Sequence, residues 1–283
     1  MNIWQRFVKK KCEKCEKEYD PLEKTCPFCH EINPISQKGD RALAVLDWKK
    51  EVGLFGVGTL GFYIFGLLLS LIITSIAQNV LYEAGFTGAS LTAGLNDYIS
   101  SASYTILVNY LVYLLMLITD FFLIGKCLHK VFDSFKNSKF AFGFAIGIVI
   151  FGVSMLLTYL LSFAGTHTSD NQVIIEQASS QYALLTAILT IVIAPLVEEL
   201  TYRVGLFTVL KRINVYFAYA AVAIIFGLMH MKNFASLNEW LNVIVYMVGG
   251  LGLTFAYHHF GFAGSFAAHL TYNLIGTIWN ALA

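Results

Sequence analysis

Long apolar runs are the feature of this chain that most restricts how it can fold. After residue 51, seven runs are each long enough to cross a bilayer core of about 30 Å as a helix. Helices are the expected spanning form, because backbone groups inside lipid find no water to bind. The seven runs are Val52–Ala77, Tyr104–Gly125, Phe140–Ala164, Ala183–Leu210, Val215–Met231, Leu241–Tyr257 and Phe262–Ala281.

The composition agrees with a lipid bilayer as the surroundings, since 57% of the residues are hydrophobic and only 13% are charged. The charge is uneven, because 11 of the 19 Lys and Arg residues lie in the first 50 positions. We therefore predict an all-α polytopic membrane protein of about seven transmembrane helices behind a small polar head. No phosphate-binding glycine motif is present, and no nucleic-acid partner is expected.

The head carries four of the five cysteines, as two Cys-x-x-Cys pairs. Two such pairs about ten residues apart suit a tetrahedral zinc site, because each pair supplies two thiolates to one metal. We predict a structural zinc ribbon in which His30 stays in solvent and the metal folds the module. The alternatives are a pair of disulfides or a redox dithiol. The predicted ligands are Cys12, Cys15, Cys26 and Cys29.

Basic residues in the short loops predict the orientation in the cell membrane. The loops Gln78–Ser103 and Gly165–Tyr182 contain no Lys or Arg, so they are expected outside. The intervening loop holds four lysines, and Lys211 and Arg212 mark another basic loop. The head and these basic loops are expected in the cytosol, which disfavours disulfides. With seven spans, the C-terminus is expected outside.

These patterns divide the chain into four parts. Residues 1–35 form the predicted ribbon and residues 36–51 a linker. Residues 52–182 hold the first transmembrane helices, and residues 183–283 form a second membrane unit that carries the chemistry discussed next.

Ionisable residues within a spanning helix each cost roughly 2.5–3.5 kcal/mol to insert, so they are candidates for function. On a helix, Arg203 lies one turn after Glu199 and can neutralise it, which leaves Glu198 free to face a cavity. His230 ends the fifth run, and His269 shares a face with Asn273 in the seventh. Each of these groups also has a purely structural interpretation. The glutamates could mark a charged helix end, His230 could be a hydrogen-bonded core residue, and His269 and Asn273 could form interhelical hydrogen bonds.

Depth along the helices decides whether these groups can meet. Glu198 precedes Lys211 by 13 residues, which is about 20 Å of helix. His230 follows Asn214 by 16 residues, or about 24 Å. His269 follows Gly261 by 8 residues, or about 12 Å. With helix tilt, these depths permit one shared site near the middle of the bilayer.

Three short motifs resemble those of a known family. EELTYR, FGLMH and HLTYN are similar to the Glu-Glu-x-x-x-Arg, Phe-x-x-x-His and His-x-x-x-Asn motifs of the CAAX-processing and bacteriocin-processing (CPBP, or ABI) intramembrane endopeptidases. The order and spacing fit over about Ala183 to Asn280. Tyr202 stands where Phe is usual, and Val204 where Gly often follows the Arg. The ribbon and the first three spans lie outside the resemblance.

The resemblance implies hydrolysis of a peptide bond in a peptide or membrane-protein substrate. Carried over, Glu198 and His230 activate a water, His269 and Asn273 stabilise the oxyanion, and Arg203 holds Glu199 in place. An alternative is a catalytic zinc bound by Glu198, His230 and His269. The metal-free version is favoured here, because no His-Glu-x-x-His signature is present.

The biological setting stays open at this stage. The resemblance is compatible with bacteriocin maturation, self-immunity and peptide signalling. The competing hypotheses are a peptide-binding or immunity membrane protein of the same fold that cleaves nothing, and a transporter of small solutes. Retention of Glu198, His230, His269 and Asn273 favours the enzyme.

Overall fold

The fold is taken from a computed structural model that describes residues 7–23, 25–31 and 46–282, without the side chain of Lys126. Most of the predicted linker, residues 36–51, lies outside the described residues. Where it is described, the first helix already begins at Trp48, four residues before the predicted apolar run. The side chain of Asp47 caps this helix by accepting a hydrogen bond from the Lys49 amide.

The described part of the head is a small β-ribbon. Strand β1 (Lys10–Lys11) pairs antiparallel with β2 (Glu18–Tyr19), with Lys10 opposite Tyr19. Its small core consists of Tyr19 and the cysteines. So few buried residues form only a minimal core, which agrees with the expectation that a metal stabilises the module.

The rest of the described chain is helical, and the predicted all-α membrane fold is confirmed. Five helices are long and apolar enough to cross a membrane. The helices are α1 (Trp48–Glu83), α2 (Gly88–Ile99), α3 (Ala102–Ile124), α4 (Leu128–Phe132), α5 (Phe142–Ser162), α6 (Asp170–Lys211), α7 (Val215–Met229) and α8 (Leu237–Leu282).

Helix α8 is two antiparallel helices joined at a sharp turn. Gly261 has φ 73° and ψ −167°, a conformation that essentially only glycine adopts. The Ser265 hydroxyl lies 3.1 Å from the carbonyl oxygen of Leu253, 12 residues earlier, whereas 12 residues of straight helix would separate them by about 18 Å. Because α8 counts as two segments, the five long helices supply six membrane segments. The shorter apolar helix α7 is the seventh, in line with the seven predicted runs.

Two connections between predicted spans contain helical segments that hydropathy alone did not find. Within Gln78–Ser103, α1 continues to Glu83 and α2 follows, capped by the Thr87 and Ser90 side chains. Within Gly165–Tyr182, α6 begins at Asp170 after its Ser169 cap. Hydropathy finds only the apolar part of a helix, and the capped polar turns beyond it were therefore missed.

The first helix packs tightly against the part of α6 that carries the paired glutamates. A side chain at Gly58 would overlap Thr201, and one at Gly205 would lie 2.9 Å from the Phe55 amide nitrogen. Small residues allow such close approach between membrane helices. Helix α1, which lies outside the motif region, thus helps to position the candidate site.

Candidate active site

The paired glutamates lie where α6 changes from α-helical to π-helical winding. The π-helical turns cover Glu199–Phe207, and all nine residues are buried. The sequence reasoning assumed ordinary α-helical turns here, but the helix does continue through Arg203 to Lys211 as expected. Widened turns of this kind are frequent at functional sites.

Glu199 is the anchor of the site. Its side chain is fully buried, and its Oε1 lies 2.8 Å from His269 Nδ1 and 3.3 Å from Arg203 Nη1. The Ser265 hydroxyl donates to Oε2 of the same carboxylate. Three groups from two helices therefore hold Glu199, and the expected pairing with Arg203 is confirmed.

Arg203 is buried together with its partner. Its guanidinium carbon lies 4.7 Å from the centre of the Phe226 ring, a favourable cation–π contact. Tyr202 stands where the family pattern usually has Phe. Its ring and that of Phe226 meet edge to face, with ring centres 5.2 Å apart. Arg203 therefore links the carboxylate of Glu199 to the aromatic residues that precede His230.

Glu198 faces the other side of the His269 ring. Its Oε2 lies 3.7 Å from His269 Nε2, and 16% of its side chain is exposed. That oxygen is buried without a hydrogen-bond partner among the described residues. Of the two neighbouring glutamates, Glu199 is fully engaged and Glu198 keeps an acceptor for a ligand.

His230 caps the C-terminal end of α7. Its Nδ1 lies 2.7 Å from the Phe226 carbonyl oxygen. A carbonyl can only accept, so Nδ1 carries a proton, and in the neutral ring Nε2 keeps its lone pair. Among the described residues no hydrogen bond or ion pair joins His230 to Glu198. The Phe226 ring instead lies between the two histidines, with its centre 4.6 Å from that of His230 and 6.2 Å from that of His269.

Asn273 is held by a hydrogen bond to the backbone of α6. Its Nδ2 donates to the carbonyl oxygen of Thr190 at 2.7 Å. Thr190 belongs to a second π-helical stretch, Leu189–Ile193, just before Pro195. One amide hydrogen is thereby committed, and the second hydrogen and the side-chain oxygen make no hydrogen bond within the described part of the chain.

Two contact residues were missed by the sequence reasoning. Ser265 lies one turn before His269, so a search for polar residues on the same helix face would have found it. Tyr246 stacks on His230 with ring centres 4.5 Å apart and planes at 20°. No signal in the sequence pointed to Tyr246, because the contact joins two separate helices.

The four cysteines of the head converge as predicted. Their sulfur atoms all lie within 4.8 Å of one another. The Cys12–Cys29 and Cys15–Cys26 sulfurs are 3.5 and 3.4 Å apart, too far for disulfide bonds of about 2.05 Å. Separations near 3.8 Å are what a tetrahedron with Zn–S bonds of about 2.3 Å requires. The donor set therefore fits a structural metal.

The two cysteine pairs have the same backbone geometry. Glu16 and His30, each directly after the second cysteine of a pair, have φ 58° and 59°. Their amides donate to the carbonyl oxygens of Cys12 and Cys26 at 3.0 and 2.9 Å. His30 is exposed at this turn, in agreement with the expectation that it is no ligand.

The ribbon is docked onto the end of α6 through a buried arginine. Arg212 donates to both carboxylate oxygens of Glu51 on α1, and its Nη1 donates to both oxygens of Asp20 in the ribbon at 3.1 and 3.0 Å. Burial alone would lower the pKa of Arg212, but the negative charges of Glu51 and Asp20 outweigh it and raise the pKa. The ribbon is thus connected to the helix that carries the glutamates.

Comparison with known proteins places the motifs in a family. Residues 180–275 match the family described as type II CAAX prenyl endopeptidase Rce1-like. This stretch of the chain is similar to that family. The matched Rce1-like residues include all six candidate catalytic positions, and the resemblance seen in the three motifs is confirmed. The chain is therefore a multi-pass membrane protein with a segment similar to intramembrane CAAX-type proteases.

Two curated proteins are similar to the chain. An uncharacterized protein of Mycoplasma capricolum is 28% identical over 83% of this chain and 71% of its own length. The UPF0177 protein YvdC of Lactococcus lactis is 27% identical over 60% of this chain and 64% of its own length. No solved structure matches the chain.

Proposed function

We propose that the protein is an intramembrane endopeptidase that hydrolyses a peptide bond in a peptide or membrane-associated protein. The observation that supports this most directly is the arrangement around His269, with Glu199 fixing one ring nitrogen and Glu198 facing the other at 3.7 Å. A buried carboxylate oxygen without a partner, beside a fixed imidazole, is suited to bind and activate a water.

In the proposed reaction, Glu198 and His230 orient the attacking water. The water oxygen bonds to the peptide carbonyl carbon while one of its protons moves to Glu198. The C–N bond then breaks, and Glu198 returns the proton to the leaving amine. Atoms and protons balance over these steps, because the second water hydrogen stays on the new carboxylic acid.

The oxyanion formed during the attack needs donors. Asn273 has an amide hydrogen for this role, and His269 can donate from Nε2 only while both ring nitrogens are protonated, since Nδ1 faces Glu199. Arg203 and Ser265 act through Glu199, by holding its carboxylate. Bacteriocin maturation, self-immunity and peptide signalling are the settings that the family resemblance brings to this proposal.

A catalytic zinc is the alternative mechanism. The residues that would hold it are Glu198, His230 and His269, and a zinc there would polarise the peptide carbonyl and the water. Among the described side chains, the cysteines of the head form the one group of three or more metal-binding residues whose ligand atoms lie within 4.8 Å. We keep the metal-free mechanism as the proposal.

Metal analysis of the full-length protein separates the two mechanisms. The ribbon alone accounts for one zinc per chain. We expect one zinc in wild type and in His269→Ala. Two zinc ions in wild type, falling to one in His269→Ala, would overturn the metal-free mechanism.

The activity itself is tested by comparing wild type with Glu198→Gln and His230→Ala in detergent micelles. The probe is a quenched-fluorescence peptide set that includes a prenylated CAAX-type peptide. Glu176→Gln is the matched control, because Glu176 is an exposed glutamate of α6 that precedes the break in helical backbone at Tyr182. We expect cleavage by wild type and the control only. Equal product from all four proteins would contradict the mechanism, and binding without cleavage by wild type would favour a peptide-binding or immunity protein.

A further inference from the structure

A stripe of polar residues runs along one face of the first half of α8, at the end of the helices away from the ribbon. Asn238, Asn242 and Tyr246 are spaced four residues apart, so they share this face, and Glu239 lies beside them. All four contact other segments of the chain, and we call them the α8 stripe. The reaction steps described above assign no role to the α8 stripe.

The asparagines of the α8 stripe bind the loop between α5 and α6. Asn238 Oδ1 accepts a hydrogen bond from the His167 amide at 2.9 Å. Asn242 Nδ2 donates to the His167 carbonyl oxygen at 3.0 Å. Both backbone polar groups of His167, the amide and the carbonyl, are therefore held by α8.

Glu239 joins two further segments. It is 2% exposed, and Oε1 accepts from the Asp170 amide at 2.9 Å while Oε2 accepts from the Lys232 amide at 3.1 Å. Asp170 begins α6, and Lys232 lies two residues after His230. A buried carboxylate with both oxygens bound to backbone amides holds the start of α6 against the chain that leaves His230.

Tyr246 extends these contacts to the imidazole itself. Its hydroxyl lies 2.9 Å from the Ser169 hydroxyl, which is the N-cap of α6. Its ring stacks on that of His230 at 4.5 Å, and the Phe226 ring, tilted by 44°, lies 4.6 Å from the same imidazole. The ring of His230 therefore contacts two aromatic side chains, and its Nδ1 is bound to a carbonyl of its own helix.

We propose that Tyr246 and Glu239 are positioning residues for His230. Tyr246 sets the plane of the ring, and Glu239 sets the backbone that follows it, so Nε2 stays directed into the site. The α5–α6 loop takes part through Ser169 and Asp170. This inference rests on the proposed function where it concerns catalysis, but the geometry of His230 is testable without any substrate.

The first test measures the state of the His230 ring by ¹⁵N NMR on histidine-labelled protein in liposomes. The His230 signals are identified by their loss in His230→Ala. We expect wild type and Tyr246→Phe, which keeps the stacked ring, to show Nδ1 protonated and Nε2 unprotonated. Tyr246→Leu and Glu239→Gln should show tautomer exchange. Tyr159→Leu, at a tyrosine exposed to 61%, is the matched control and should resemble wild type. An unchanged His230 signal in both Tyr246→Leu and Glu239→Gln would overturn the proposal.

The second test separates kcat from KM in the same proteins. A ring held out of line slows the chemical step by roughly 10- to 100-fold, whereas KM should change by no more than about twofold because the ground-state contacts remain. Tyr246→Phe should restore most of the rate lost in Tyr246→Leu. A loss in KM alone, or equal rates in Tyr246→Leu and wild type, would contradict positioning.

The two proposals can fail separately. If wild type cleaves no probe while the NMR signals change as expected, the proposed function fails and the role of Tyr246 stands. If wild type cleaves the probe and Tyr246→Leu leaves both rate and NMR signals unchanged, only the positioning role fails.

Discussion

Nδ1 of His269 lies 2.8 Å from Oε1 of Glu199, and this contact turns Nε2 of the same ring toward Glu198. Two glutamates that are neighbours in the chain therefore sit on opposite sides of one imidazole. Glu199 is bound on all sides and Glu198 is partly open. Their different surroundings lead to different expectations for the same substitution.

Glu199→Gln should destabilise the protein far more than Glu198→Gln. Removing the Glu199 charge leaves Arg203 buried without its counter-ion, a change that typically costs about 3–5 kcal/mol. Glu198→Gln removes no hydrogen bond among the described residues, so its cost should stay within about 1 kcal/mol. Thermal unfolding in detergent micelles, followed by intrinsic fluorescence, measures both. Equal losses would mean that Glu199 is not the structural member of the pair.

Arg212→Gln should loosen both the ribbon and α1. The substitution leaves Glu51 buried without its charged partner, at an expected cost of about 3–5 kcal/mol. Asp20→Asn removes only the ribbon contact and should cost less. Lys136→Gln, which breaks an exposed pair with Asp133, is the control, with an expected change within about 1 kcal/mol. The measurement is again thermal unfolding.

Removal of the ribbon metal should release the ribbon from Arg212, as we also expect for Asp20→Asn. Without metal the cysteine pairs lose their folded geometry, and the contacts of Asp20 with Arg212 and of Glu23 with Lys130 are lost with it. Limited proteolysis with and without a chelator should then show cleavage within residues 7–31 only after chelation. Identical cleavage in both samples would contradict a metal-folded ribbon.

Gly261→Ala should destabilise the hairpin that α8 forms. The φ and ψ angles of Gly261 lie where an L side chain is strained, which costs about 1–3 kcal/mol. Gly276→Ala on the second half of α8 is the matched control, because a side chain there meets no atom within 4 Å. The control should be neutral or slightly stabilising, since alanine favours helix. Unfolding temperatures that fall equally in both variants would rule out the turn as the cause.

A reporter fused after the last residue should read outside the cytosol. The expectation follows from seven spans and a cytosolic head, with basic loops on the cytosolic side. A reporter placed in the basic loop near Lys130 should read in the cytosol. The same reading from both positions would show that a span has been miscounted.

The sequence predicted the membrane fold and the convergence of the four ribbon cysteines. Apolar runs report burial in lipid directly, and paired cysteines at short spacing report a metal site, because both signals are local. The pairing of Glu199 with Arg203 was also predictable, since one helical turn separates them. The helical segments within Gln78–Ser103 and Gly165–Tyr182 were missed, because their ends are set by caps rather than by hydropathy.

The tertiary structure alone decided which partners these residues meet. Nothing local in the sequence joins Glu199 to Ser265 and His269, Asp20 to Arg212, or Tyr246 to His230, because each contact depends on how separate segments pack. The hairpin at Gly261 makes the first of these contacts possible, by turning the chain back so that His269 reaches Glu199. The chain thus specifies its chemical groups through local patterns, while packing between helices assigns each group its neighbours.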